Sequence, residues 1–215
     1  KFIPEFRKRN FLGRLITPKK DSYLKIKSKI NNSYIKLKIN DENMSYVFSL
    51  SKLLKISKKS FLRSLNTFKG LPHRYEIFLK KKNCIFINDS KATSFQATKV
   101  ALESSKNIYW IVGGLPKKND KISLKKLRKN IIKSYIIGKN INFFKKQLKN
   151  KVSFFVARNL NSSIVRVLRD IKIFNKKNNT ILFSPASASF DQFLNFEKRG
   201  EKFKKLSKYY ARKYI

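Results

Sequence analysis

The sequence predicts an α/β fold with a mainly parallel sheet that helices cover on both faces. Three observations support this. Short apolar segments rich in β-branched and aromatic residues recur after residue 72, segments with helical spacing separate most of them, and polar turns mark their ends. Strands that alternate with helices are typical of βαβ units, whose parallel sheets are buried on both sides.

The part of the chain before residue 72 is predicted to be helical where its pattern is readable. Apolar residues recur at helical spacing over 41–56, and a second short helix is predicted over 60–65. The tripeptide Gly70-Leu71-Pro72 then interrupts the pattern, because glycine and proline both end regular elements. We therefore place a domain boundary here, which separates residues 1–70 from residues 71–215.

The second part begins with two strands and continues as a regular alternation. The two strands, over 75–79 and 84–88, are joined by a polar turn. The remaining predicted elements are, in order, helix 95–104, strand 108–112, helix 124–130, strand 134–137, helix 143–149, strand 152–156, helix 162–171, strand 180–183 and a last helix that runs to the C-terminus.

The charge is strongly unbalanced, with 52 Lys and Arg against 12 Asp and Glu and a formal net charge of +40. Dense positive charge is typical of proteins that neutralise nucleic-acid phosphates. However, the charge is spread along the whole chain, and Lys, Asn, Ile and Phe, which share A/T-rich codons, are all abundant. We favour biased composition and keep a basic nucleic-acid-binding α/β protein as the alternative.

Composition excludes several other classes. Hydrophobic residues make up 41% of the chain, which excludes a purely disordered basic tail, and no apolar run approaches the roughly 18 residues that a membrane span needs. The single cysteine, Cys84, excludes an intrachain disulfide framework and predicts a reducing, cytoplasmic location. The chain starts with Lys1, and residues 1–9 do not resemble a signal peptide. We therefore expect an N-terminal part of the protein to lie outside this sequence.

Polar or glycine-rich segments follow three of the predicted strands, at 88–93, 113–114 and 184–189. Ligands of parallel sheets bind beyond the carboxyl ends of the strands. Backbone N–H groups at a helix start, together with Lys91 or Lys117, favour an anionic ligand. The alternative is structural, with Ser90 or Thr93 as a helix cap and the last segment leading into a core-packed stripe of Phe190, Phe193 and Phe196 at helical spacing. The chain contains no P-loop pattern and only one histidine, His73, so it has no evident means of activating ATP.

Four ordered sequence blocks carry a resemblance to a known family. They read GLPHRYE at 70–76, INDSKAT at 87–93, LFSPASASFDQF at 182–193 and NFEKRG at 195–200. Together they resemble the C-terminal part of the Mur ligase family, and within it the members that add D-glutamate. The resemblance implies a Rossmann-like C-terminal domain over 71–215, preceded over 1–70 by the tail of an α/β central ATP-binding domain.

The resemblance also implies a reaction. ATP phosphorylates the carboxylate of UDP-N-acetylmuramoyl-L-alanine with the help of Mg²⁺, and the amine of D-glutamate attacks the acyl phosphate during peptidoglycan precursor synthesis. The family's catalytic and magnesium-binding residues would lie upstream of this chain. We therefore expect the chain alone to be inactive, and the full-length protein to be a monomer that neither inserts into membranes nor binds nucleic acid. A Mur ligase that adds a different amino acid is a further alternative.

Matching the motifs residue by residue assigns the binding roles. The expected ATP-binding residues are Asn43, Arg74, Asp89 and Lys91. The expected D-glutamate-binding residues are Thr93, Lys117, Ser189, Phe190 and Phe196. Lys117 and the Ser189 hydroxyl suit the two carboxylates of D-glutamate, since both can donate hydrogen bonds to an ionised acceptor.

Overall fold

The computed structural model describes residues 15–32 and 34–215. The chain divides into two compact units, Lys1–Lys69 and Gly70–Ile215. The expectation about residues 1–9 lies outside the described residues. No helix in the described ranges is long and apolar enough to cross a membrane.

The described residues of the first unit form helices and turns. Its elements are α1 (Lys20–Lys27), a short 3₁₀ helix (Lys38–Asn40), α2 (Asp41–Leu53) and α3 (Lys58–Thr67). The Ser57 side chain accepts a hydrogen bond from the backbone N–H of Ser60 and so fixes the start of α3. Apolar side chains from the three helices pack into one small core that includes Tyr23, Met44, Phe48 and Phe61. The predicted helices over 41–56 and 60–65 are both present, with shifted ends.

The second unit, all of whose residues are described, contains a six-stranded sheet. The strands are β1 (Glu76–Lys81), β2 (Cys84–Asn88), β3 (Ile108–Gly113), β4 (Ile131–Ile137), β5 (Phe154–Arg158) and β6 (Asn179–Phe183). Their order across the sheet is β1-β2-β6-β3-β4-β5. The β1–β2 pair is antiparallel, while the other neighbouring strands are parallel. The prediction of a mainly parallel sheet is therefore confirmed.

Helices cover both faces of this sheet. They are α4 (Phe95–Glu103), α5 (Ile141–Leu148), α6 (Leu160–Phe174) and α7 (Phe196–Tyr214). Tyr109 and Ile111 of β3 belong to the core that α6 and α7 form, and Trp110 between them is fully buried against the opposite face. All residues of β3 and β6 are buried. Because both faces of the sheet are covered, the loops at the ends of the strands are the place where a site can form.

The predicted helix over 124–130 is wrong. Residues 125–127 form a turn, and only a short 3₁₀ helix (Arg128–Asn130) follows before β4 begins. Leu124 and Leu127 are buried, so their helix-like spacing reflects anchoring of the turn to the core. The intervening positions are mostly Lys and Arg, and like charges three or four residues apart destabilise a short helix.

Candidate functional site

The three polar segments singled out in the sequence lie at the same edge of the sheet, at the carboxyl ends of β2, β3 and β6. Backbone hydrogen bonds tie them together. The N–H of Asp89 donates to the carbonyl of Phe183 over 2.8 Å, and the N–H of Gly113 donates to the carbonyl of Pro185 over 3.0 Å. Leu115 and Ala188 exchange two further hydrogen bonds of 2.9 Å each. The loops after three neighbouring strands thus form one connected surface.

Asp89 is a deeply buried titratable group of this surface. It is 4% exposed. Its Oδ1 accepts a hydrogen bond from the N–H of Tyr75 over 3.1 Å, and its Oδ2 accepts one from the Ser184 hydroxyl over 2.7 Å. Burial raises the pKa of Asp89 to about 7, although the two hydrogen bonds and nearby Arg74 act in the opposite direction. Each carboxylate oxygen keeps a second lone pair that could accept from a ligand.

A network of hydrogen bonds and one ion pair links the start of the second unit to α7. His73, whose φ is +61°, is buried with its Nδ1 2.9 Å from Asn88 Nδ2. Asn88 Nδ2 also donates to Glu76 Oε2 over 3.1 Å, and Glu76 Oε1 pairs with Lys204 Nζ at 2.6 Å. Desolvation lowers the pKa of His73, against the opposing effect of Glu76. A Cβ at Gly200 would collide with the His73 ring, so a glycine is needed there. The network fixes the backbone that presents Arg74.

Arg199 joins two of the loops from inside the protein. It is 1% exposed. Its Nε donates to Ser90 Oγ over 3.1 Å, and its Nη2 donates to the carbonyls of Ser90 (2.8 Å) and Ser187 (3.0 Å). Among the described residues, its Nη1 has no hydrogen-bond partner, and a Cβ at Gly114 would lie 3.2 Å from that atom. Burial lowers the pKa of Arg199 to about 10, so the guanidinium stays charged at neutral pH.

Asp191 connects the loop after β6 to the loop after β4. Its Oδ2 accepts a hydrogen bond from the N–H of Lys139 over 3.0 Å, and a Cβ at Gly138 would lie 2.5 Å from the same oxygen. Asn140 Nδ2 donates to the carbonyl of Gly114 over 3.0 Å. These contacts hold the turn that follows Ser189 in one position.

The structure places the predicted site residues of the second unit around this edge. Asp89 and Ser189 are buried, Thr93 and Phe196 are partly buried, and the remaining residues are exposed, namely Arg74, Lys91, Lys117 and Phe190. The ammonium of Lys91 lies 5.4 Å from the centroid of the Phe196 ring, and the Ser90 hydroxyl donates to the carbonyl of Phe196 over 2.8 Å. Asn43 belongs to the other unit, where it is exposed in the first turn of α2.

Of the two structural alternatives for these motifs, the cap is wrong and the core-packed Phe stripe holds only for Phe193, which packs against the core that α6 and α7 form. The residue that caps α4 is Ser94, whose side chain accepts from the N–H of Ala97, so neither Ser90 nor Thr93 is the cap. The Phe stripe is not helical over its first part, because residues 190–195 form bends and turns and α7 begins only at Phe196. Phe190 is 70% exposed, so it does not pack in the core.

The sequence patterns do not identify the residues that hold the loops of the site in place from within the protein. Arg199 and Glu76 lie inside two of the sequence blocks that carry the resemblance, but no sequence pattern assigns them a role, and no pattern marks Lys204. The signals that point to Arg199 are its place in the NFEKRG block and the glycine that follows it in an amphipathic helix. Among the described residues, no group of three or more His, Cys, Asp or Glu could hold a metal ion.

Comparison with curated proteins shows what the chain is similar to. It is 41% identical over 173 residues to the UDP-N-acetylmuramoylalanine–D-glutamate ligase of Wolbachia sp. subsp. Brugia malayi (strain TRS), a match that covers 80% of the chain and 34% of that protein. The chain is similar to the Mur ligases. The ligases of the same name from Rickettsia felis and Nitrobacter winogradskyi are both 36% identical, and the matches cover 38% and 36% of their lengths. The chain thus spans little more than a third of these relatives.

Solved structures of Mur ligases share the fold. The MurF ligase from Thermotoga maritima in complex with ADP matches with a TM-score of 0.57 at 15% identity, over 80% of the chain and 38% of that protein. The MurC ligase from Thermotoga maritima matches with a TM-score of 0.53 at 17% identity, also over 80% of the chain and 38% of that protein. No family model matches the chain. The predicted resemblance to Mur ligases and the predicted fold class are both confirmed.

Proposed function

We propose that this chain is the C-terminal part of an ATP-dependent ligase that adds D-glutamate to UDP-N-acetylmuramoyl-L-alanine in peptidoglycan precursor synthesis. The observation that carries the proposal is the 41% identity over 173 residues to a protein named for this reaction. The arrangement of loops at one edge of the sheet supports it, because anionic ligands of parallel sheets bind at the carboxyl ends of strands.

We assign D-glutamate to the surface between the loops after β2, β3 and β6. Lys117 and the Ser189 hydroxyl would donate to its two carboxylates, while Thr93 and the partly buried Phe196 would border the ligand. The buried guanidinium of Arg199 holds Ser90 and Ser187 in place. This support fixes the positions of the two loops before the ligand arrives, so that less ordering is needed on binding.

We assign the nucleotide to the neighbouring surface, on the side of β1 and β2. Arg74 would contact phosphate, Lys91 would lie between the nucleotide and the amino acid, and Asp89 would accept from a ribose hydroxyl through the lone pairs that its two protein hydrogen bonds leave open. We also propose that Asn43, which is exposed in the first unit, contacts ATP. The ADP in the Thermotoga maritima MurF complex supports a nucleotide in ligases of this fold.

Among the described residues, no group of three or more His, Cys, Asp or Glu could hold a metal ion. We propose that the magnesium ligands and the residues that phosphorylate the substrate carboxylate belong to the remainder of the ligase. By itself the chain should release no phosphate from ATP in a D-glutamate-dependent way. We also propose a cytoplasmic location and a monomeric full-length protein, as small-molecule nucleotide chemistry requires neither a membrane nor a partner subunit.

The binding proposal is tested by a nuclear magnetic resonance titration of the chain with D-glutamate and, separately, with ADP. We expect D-glutamate to shift the amide signals of Thr93, Lys117 and Ser189 more strongly than L-glutamate does. Lys117→Ala should weaken this response, whereas Lys118→Ala, a matched change at the next exposed lysine, should leave it unchanged. Equal responses to the two enantiomers, or shifts confined to other parts of the sheet, would contradict the proposal.

A further inference from the structure

The edge of the sheet opposite the candidate site concentrates positive charge. This amino-terminal edge consists of the turn between β1 and β2, the segments that lead into β3, β4, β5 and β6, and the last turn of α7. Its exposed cations are Lys80, Lys82, Lys106, Arg128, Lys129, Lys149, Lys151, Lys172, Lys176, Lys177, Arg212 and Lys213. These segments, which the structure describes completely, contain no Asp or Glu. Among the described residues, none of these cations forms an ion pair.

Hydrogen bonds hold the segments of this edge together as one surface. The side-chain amide of Asn83 donates to the carbonyl of Lys176 over 3.1 Å, and that of Asn107 donates to the carbonyl of Lys177 over 2.8 Å. The ammonium of Lys81 donates to a carbonyl in the last turn of α7 over 2.8 Å. The asparagines thus bind the backbone of the turn before β6, while its two lysine side chains are exposed. The fold therefore fixes where the cations lie.

The two edges of the sheet differ in their acidic residues. The carboxyl edge also carries exposed lysines, but it mixes them with Asp120, Asp191 and Glu197. At the amino-terminal side, Glu103 near the end of α4 lies 4.0 Å from Lys99, and the segments of the edge itself have no carboxylate. Cations without counter-charges repel one another and oppose the compact state. An extended anionic surface would relieve this repulsion.

Apolar side chains stand out from the same edge. Ile173 and Phe174, in the last turn of α6, are 72% and 42% exposed and lie between Lys172 and Lys176. Exposed apolar residues flanked by lysines are typical of protein surfaces that lie at the boundary between lipid headgroups and acyl chains. Single-stranded nucleic acid would instead need aromatic platforms on which bases stack, and an aliphatic side chain such as Ile173 provides none. The combination therefore favours a bilayer over a nucleic acid.

A groove at this edge has the same mixed character. It lies between the segments that lead into β4 and β5, has a volume of about 400 Å³, and is lined in part by Leu124, Arg128 and Lys151. Cationic side chains beside an apolar wall suit an amphiphile that carries a phosphate, because the phosphate can accept charge-assisted hydrogen bonds from Arg and Lys.

We propose that the amino-terminal edge of the sheet binds the surface of a bilayer that contains anionic phospholipids. The lysines lie against the headgroups, and Ile173 reaches the boundary with the acyl chains. The chain lies on the bilayer without crossing it. This inference is independent of the proposed function, since the loops of the candidate site lie at the opposite edge and stay open to their ligands.

The test is co-sedimentation of the chain with vesicles, which measures its partition coefficient. Vesicles of phosphatidylglycerol mixed with phosphatidylcholine should bind the chain, whereas vesicles of phosphatidylcholine alone should not, and added salt should weaken the binding. The triple variant K172Q/K176Q/K177Q should bind the mixed vesicles roughly tenfold or more weakly, because each lysine near an anionic bilayer adds to the attraction. The matched control K118Q/K121Q/K202Q removes the same charge from exposed lysines outside this edge and should bind as the parent chain does.

A second pair of variants tests the apolar contact at constant charge. Ile173→Gln should weaken vesicle binding several-fold, whereas Leu194→Gln, at a residue that is 78% exposed before α7, should not change it. Urea unfolding of the variants should match that of the parent chain, since all the replaced side chains are exposed.

Three outcomes would overturn the inference. Equal losses in the two triple variants would show that binding follows net charge alone. Equal binding to both kinds of vesicle would show that anionic lipid is not recognised. Binding to single-stranded RNA that is tighter than binding to mixed vesicles, that K172Q/K176Q/K177Q abolishes and that Ile173→Gln leaves unchanged would assign this edge to nucleic acid instead.

Discussion

Replacing Asp89 by Asn should remove a pH dependence from the stability of the second unit. In the folded chain, burial raises the pKa of Asp89 from its ordinary 3.8 to about 7. At about 1.4 kcal/mol per unit of pKa, ionising this carboxyl costs about 4 kcal/mol more in the folded than in the unfolded chain. The folded state holds the proton more tightly, so the free energy of unfolding falls as the pH rises between the two pKa values, by about 2–3 kcal/mol from pH 5 to pH 8.

The assay is urea unfolding at a series of pH values, followed by the fluorescence of Trp110, which is the only tryptophan and is fully buried in β3. The difference between Asp89→Asn and the parent chain cancels other titrations, including that of His73, whose lowered pKa has the opposite sign. Asn should gain about 2–3 kcal/mol relative to Asp between pH 5 and pH 8. Ser184→Ala removes a hydrogen bond that favours the ionised form of Asp89. It should therefore move the midpoint of the pH-dependent change in stability to higher pH. A difference that stays flat over this range would refute the reasoning.

Three further substitutions test buried contacts of the second unit by urea unfolding. Gly200→Ala places a methyl group against the His73 ring and should destabilise by about 1–3 kcal/mol; no loss would contradict the described packing. Asp170→Ala removes a buried carboxylate that lies 2.8 Å from Lys133 Nζ, pairs with Arg166 and accepts from the Tyr135 hydroxyl, and it should cost about 3–5 kcal/mol; a loss below about 1 kcal/mol would show that these contacts are solvated. Arg199→Lys keeps the charge but loses the planar set of guanidinium donors, and it should lower the free energy of unfolding by about 1–3 kcal/mol. An unchanged urea midpoint would show that the planar donors are not needed.

The sheet could be predicted from the sequence because its central strands are buried on both faces. Uninterrupted apolar segments such as those of β3 and β6 must be covered by helices, and this requirement predicts the βαβ alternation. The bounds of β2 were predicted residue for residue, since Asn83 and Asp89 flank it with polar residues. By contrast, the apolar spacing around Leu124 predicts a helix that the structure does not contain. A turn whose apolar residues are anchored in the core can produce the same spacing as a helix face.

The candidate site was predictable where a motif follows a strand and unpredictable where support comes from a distant element. The segments that contain Asp89 and Ser189 could be predicted because each follows a strand, and the roles of these two residues come from the resemblance to Mur ligases. The bond of Arg199 to the carbonyl of Ser90 spans 109 positions of the chain, and that of Lys204 to Glu76 spans 128. Such pairings depend on how α7 packs across the sheet, which no local pattern encodes.

The most direct test of the central claim measures phosphate release from ATP after the chain has been joined to the remainder of the Wolbachia ligase. The account predicts release that requires both UDP-N-acetylmuramoyl-L-alanine and D-glutamate, that L-glutamate does not support, and that Ser189→Ala reduces. The chain without the added part should release none. Equal release with either enantiomer, or release that is indifferent to glutamate, would contradict the assignment of this chain to a D-glutamate ligase.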